Sequence, residues 1–143
     1  MNKYFFFFLC VVLATISFGQ TNQTDAQGRK QGEWIKKYPN SSVTIYQGTF
    51  KNDKPIGTFT YKYKSNKVKA IITHNATSTR SEATYYHENG KVMSKGIYKN
   101  QKKDSIWVSY NEKGRITMSE TYKNDELNGE KKLYYLPYDP SDK

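Results

Sequence analysis

The chain has 143 residues but only one cysteine, two histidines and four prolines. The cysteine, Cys10, falls in an apolar N-terminal stretch expected to be removed, so the mature chain has neither a disulfide nor a thiolate. His74 and His87, with no cysteine partner and no His-x-x-x-His spacing, do not make a zinc site, and each is read as structural. No glycine-rich phosphate loop opens a helix, and there is no Gly-x-Ser-x-Gly elbow. Acidic residues are scattered singly, and Asp125-Glu126 reads as a polar turn. No stretch keeps a helical period. Aliphatic residues are few and the mean hydropathy is −0.90, which excludes a thick two-layer core of Leu, Ile and Val. These absences remove the usual catalytic constellations. No enzyme activity, metal or cofactor is expected.

Aromatic residues are plentiful, at 15% of the chain. Phe5, Phe6, Phe7, Phe8 and Phe18 are five of the seven Phe and all lie in the first 18 residues; beyond them Tyr dominates. A thin sheet packed through Tyr, Trp and Phe suits this stock, since each ring buries roughly 150–250 Å² and a tyrosine keeps a polar tip wet. The formal charge is +10. Lysines are spread along the whole chain, which favours a solvated, aggregation-resistant surface over a polyanion site, and no nucleic acid partner is expected.

Lys3 followed by the apolar run from Tyr4 to Ala14 has the form of a signal peptide, too short to span a bilayer comfortably. Ser17-Phe18-Gly19 offers small residues for cleavage before Gln20. The bulky Leu9 before Cys10 argues against a lipoprotein. The mature chain then has 22 basic and 13 acidic residues, a net +9. The expected organisation is a signal peptide over 1–19, a polar linker over 20–27, repeats over 28–135 and a tail over 136–143, in which Pro137 and Pro140 stop any strand. The expected location is the periplasm, cell surface or extracellular space.

The repeat rests on three landmarks. A small residue stands two before a ring in Gly32-Glu33-Trp34, Gly57-Thr58-Phe59 and Ser105-Ile106-Trp107; Ser81-Glu82-Ala83 and Gly129-Glu130-Lys131 fall in phase without the ring. The small residues step by 25, 24, 24 and 24. Tyrosines stand at Tyr38, Tyr63, Tyr86, Tyr110 and Tyr134. Phe50, His74, Tyr98 and Tyr122 step by 24 each time, and Lys-Asn follows three of them. Each unit reads as two strands and two turns. Ile106 to Tyr110 is rich in β-formers, and the four residues Ile116, Met118, Glu120 and Tyr122 alternate with small polar ones. Asn89-Gly90 and the Asn111 to Gly114 segment are hairpin turns. One unit buries too little to fold alone, so stability must propagate along about four and a half units.

Gly-x-Trp, then Tyr, then Asn-Gly-Lys-Val, then Tyr-Lys-Asn resembles the MORN-repeat variant family, whose bacterial members include YwqK-type antitoxin-like repeat proteins. Residues 85–92 and 95–100 carry the strongest likeness. The resemblance implies an all-β fold, an elongated twisted antiparallel sheet of tandem hairpins, and transfers no catalytic residue. The second copy departs from the pattern: Lys67 stands where the turn glycine belongs and His74 where the ring belongs. That copy also holds the candidate binding residues. In Tyr61-Lys62-Tyr63-Lys64, strand alternation puts both lysines on one face and both tyrosines on the other, with Lys67 and Lys69 on the return strand. Such a patch suits phosphate or sugar ligands, and equally protects a strand edge. The expected function is a non-enzymatic, monomeric, exported module that binds a protein partner or scaffolds the bacterial envelope. The alternatives are binding of anionic lipid or polysaccharide and neutralisation of a toxin.

Overall fold

A computed structural model describes residues 20–135; the signal peptide over 1–19 and the tail over 136–143 lie outside the described residues. The described chain is all β. Its strands are β1 (Gln23–Thr24), β2 (Lys30–Lys37), β3 (Thr44–Lys51), β4 (Lys54–Lys62), β5 (Val68–His74), β6 (Arg80–Tyr86), β7 (Val92–Lys99), β8 (Lys102–Tyr110), β9 (Ile116–Lys123) and β10 (Glu126–Leu133). They form one open antiparallel sheet in sequence order, as tandem hairpins require. Segment 20–27, expected as a linker, is built into this sheet. β1 pairs with β2, and the Asn22 side chain both accepts from the Ile35 N–H (2.8 Å) and donates to its carbonyl (3.1 Å). A single side chain thus satisfies the outer edge of β2 where β1 has ended.

The turns along one edge of the sheet are tight. Asn52-Asp53, Asn100-Gln101 and Asn124-Asp125 all have positive φ, the geometry of a type I′ hairpin, and Asn and Asp tolerate it best among side-chain-bearing residues. Asp53 and Asp125 also reach back to an earlier strand, accepting the N–H of Lys30 (2.8 Å) and Lys103 (2.6 Å). The exception is the connection between β5 and β6. Ala76 and Thr77 occupy the slots of Asn52 and Asp53 there, and neither takes positive φ readily. The chain instead makes the open loop 75–79, in which Asn75 Oδ1 accepts from the Thr77 N–H and hydroxyl at 2.9 Å each.

That loop explains the first landmark. In the regular hairpins the strand after the turn carries a bulge. Gln47 faces Thr60 and Thr49 faces Ile56, so Gly48 is opposed by three residues; Gly96 is opposed in the same way by residues 105–107. The bulge needs positive φ at its first residue: Gly57 has +65° and Ser105 +62°. β5 and β6 pair without a bulge from Ala70–Tyr85 to His74–Ser81. Ser81 therefore needs no glycine.

On the other edge, a loop of five residues begins at Tyr63, His87 and Asn111, each closed by a bond from its first N–H to its fifth carbonyl. The corresponding loop from Tyr38 to Val43 has six, which accounts for the 25-residue first step. The left-handed positions are Asn66, Gly90 and Gly114, at φ +67°, +86° and +85°. Asn66, not Lys67, fills the turn-glycine slot. The tyrosine landmark is likewise corrected. Tyr38 donates to the Lys62 carbonyl (2.9 Å), Tyr63 to the Tyr86 carbonyl (2.6 Å) and His87 Nε2 to the Tyr110 carbonyl (3.0 Å). The equivalent positions are 38, 63 and 87, with His87 in a tyrosine's place. Tyr86 and Tyr110 supply the acceptors of this ladder.

Candidate functional site

Cross-strand pairing aligns one row of side chains over the sheet: Trp34, Gly48, Phe59, Ile72, Ala83, Gly96, Trp107, Glu120 and Lys131. Ring and glycine go together. A Cβ on Gly48 would lie 2.4 Å from the Phe59 ring, and one on Gly96 would lie 2.3 Å from the Trp107 ring. Each ring therefore rests directly on the bare backbone of the preceding strand. Phe59 is 1% exposed and Trp107 5%. Between them the sizes reverse: Ile72 faces Ala83, so the middle unit has no ring to seat. In the last unit a Glu120–Lys131 ion pair (2.9 Å) fills the same place, and the Lys131 ammonium, with the Tyr122 hydroxyl, holds the Glu120 carboxyl below its ordinary pKa.

The aromatic face thus divides into two clusters. Phe50 and His74 meet Phe59 edge-on at 5.0 and 5.2 Å, with Tyr46, Tyr61 and Trp34 beside them. Tyr98 meets Trp107 edge-on at 4.9 Å, and Tyr85 lies 6.3 Å from it. The space between holds three adjoining hollows. The first, of about 410 Å³, lies against loop 75–79 and is lined by His74, Ser81, Asn100 and Gln101 among others. The second, of about 250 Å³, shares His74, Ser81 and Gln101 and adds Ile72, Tyr85 and Tyr98. The third, of about 300 Å³, shares Ile72 and Tyr85 and ends at Tyr61, Lys62, Lys69 and Ala70. Together they make a trough along β5 and β6, from one edge of the sheet to the other.

The trough takes in only part of the lysine–tyrosine patch. β4 ends at Lys62, and the register slips between Tyr61–Ala70 and Lys62–Val68. The slip breaks the alternation expected for residues 61–64, so Tyr61 and Lys62 line the same hollow. Lys62 donates to Asn66 Oδ1 (3.0 Å), and Lys69 Nζ lies 5.8 Å over the Tyr63 ring. Lys64 sits exposed in the turn. Lys67 lines a different groove with Ile71, Tyr86 and Glu88, and Ile71 points to the face opposite Ala70 and Ile72. Lys62 and Lys69 therefore line one face and Lys67 the other, with Lys64 in the turn between the strands.

The polar groups of the trough are tuned by burial. It pushes up the Tyr61 hydroxyl pKa, and that of Tyr98 too, where a hydrogen bond to Tyr85 (2.9 Å) adds to it. Burial holds the His74 ring below its ordinary value and so neutral; Nδ1 pairs with Ser81 Oγ (2.9 Å), while the buried Nε2 has no partner. Sequence reasoning singled out His74 as filling a ring slot but not as part of a site. The signal was there in the loss of Lys-Asn after it and of the ring at Ala83. Among the described residues, no three His, Cys, Asp or Glu side chains converge to hold a metal, and no helix is long and apolar enough to cross a membrane.

Fold and surface together define an open, single-sheet array of hairpin repeats with one irregular unit. Residues 81–100, which run through β6 and β7 into the next tight turn, match the family model of the MORN repeat variant. No curated protein and no solved structure matches the chain.

Proposed function

We propose that this repeat module is a non-enzymatic binding protein that works outside the cytoplasm, in the bacterial envelope, and presents the trough at its irregular unit to a partner. One observation carries the reading. The array breaks its own ring–glycine pattern at Ile72–Ala83, and beside that break the second and third hollows share Ile72 and Tyr85 while the first joins the second through His74, Ser81 and Gln101. Tyr61, Tyr85 and Tyr98 stand half-exposed along the trough, and tyrosine is a residue type that dominates binding energy at interfaces. A photo-cross-linking residue at Tyr85 faces the trough, and one at Thr84 faces the opposite side. Adducts in intact cells are expected from position 85 and not from 84. Equal yields from both, or none from 85, would reject the reading.

A further inference from the structure

Taking the trough to be the binding surface, we infer that its ligand is a linear acidic glycan, a sugar chain bearing carboxylates. The first observation is shape. The trough follows β5, whose seven residues span about 23 Å at ~3.3 Å each. A chain-like ligand fits such a slot better than a compact one. Each hollow lies near or within the ~300–1,000 Å³ usual for ligand sites.

The second is the kind of polar group. One end offers hydroxyls and amides: Thr77, Ser78, Thr79, Asn100 and Gln101. These donate and accept in the mixed pattern that sugar hydroxyls require. In the middle, the Tyr85 and Tyr98 hydroxyls share one hydrogen bond, so one hydroxyl hydrogen stays available to a ligand oxygen. Their rings offer apolar surface for the C–H faces of a pyranose. An acyl chain would meet too many hydroxyls here. An extended peptide would find no free strand edge to pair with, because β5 and β6 are paired on both sides.

The third is charge. None of the three hollows is lined by a carboxylate. Glu82 and Glu88 line grooves elsewhere. Lys62 and Lys69 stand at one end and Lys54 at the other. Among the described residues, the contacts of Lys62 and Lys69 are with Asn66 and the Tyr63 ring, not with acids. Cations at both ends and neutral groups between them match a chain that repeats a negative charge.

The test is calorimetric titration of the mature protein with a hyaluronan hexasaccharide, in which a uronate alternates with an N-acetylhexosamine. Controls are neutral cellohexaose and vesicles of anionic phospholipid. The acidic hexasaccharide should bind and lose at least tenfold in affinity in Lys62→Gln/Lys69→Gln, whose folding is checked by circular dichroism. Lys67→Gln, on the other face, should bind as wild type. Failure of the hexasaccharide to bind, stronger retention by the vesicles, or equal weakening by Lys67→Gln would overturn the inference. Adducts from position 85 to a protein, with no hexasaccharide binding, would reject the glycan and leave the trough standing.

Discussion

Gly96→Ala tests the seating of rings on bare backbone. The φ of Gly96 is not in the left-handed region, so the backbone accepts alanine. The obstacle is the Trp107 ring, whose Cδ2 and Cε2 would lie 2.3 and 2.4 Å from the new methyl, against a carbon–carbon optimum of ~3.5–4.0 Å. If the ring shifts within its site, overpacking should cost about 1–3 kcal/mol. If the ring is expelled, about 200 Å² of lost burial sets the scale, near 5 kcal/mol. Trp107→Ala alone should cost about 3–5 kcal/mol. The double variant should cost no more than Trp107→Ala, because the methyl then enters vacated space, which gives a coupling of about 1–3 kcal/mol. Urea unfolding followed by circular dichroism reads all four corners of the cycle. Gly32→Ala is the control: its Cβ would meet nothing within 4 Å but its φ is +68°, so it should cost about 1 kcal/mol through the backbone alone. Additive costs at 96 and 107 would refute the seating.

Three further outcomes are expected. Ser105→Gly should stabilise the fold by up to about 1 kcal/mol and so raise the urea midpoint, because Ser105 holds a φ of +62°; Ser81→Gly should lower the midpoint, because Ser81 lies in a regular strand and pairs with His74. Burial keeps the folded His74 pKa below the ordinary imidazole value of 6.5, so the unfolded chain binds the proton more readily. His74 then contributes its full stability above about pH 6.5 and loses it as pH falls further, and His74→Phe should reduce the fall in midpoint between pH 7 and 5. Tyr63→Phe removes the 2.6 Å bond to the Tyr86 carbonyl and should cost about 0.5–1.5 kcal/mol by denaturant titration, whereas Lys64→Gln in the neighbouring turn should be neutral.

The hairpin array was legible because its signals are local. Asn-Gly and Lys-Asn turns, period-two strands and phased rings each act within one unit. What escaped the sequence depends on relations between strands. The pairing of Gly48 with Phe59 and of Ile72 with Ala83 appears only once the strands lie side by side. The steps of 25 and then 23 between Tyr38, Tyr63 and Tyr86 did carry the clue that Tyr86 sits one place off and that His87 holds the slot. The lysine patch was misread because a bulge at Tyr61–Lys62 cancels the alternation. The irregular unit was recognised, but not the trough that lies beside its missing ring.

Ile72→Gly with Ala83→Trp would put a glycine and a ring at the directly paired positions 72 and 83 and crowd the trough beside them. The most direct measurement is photo-cross-linking from position 85 in this background, with folding verified by circular dichroism. Adducts formed by the otherwise unchanged protein are expected to disappear. Undiminished adducts from a folded, ring-filled protein would contradict the trough as the site of binding.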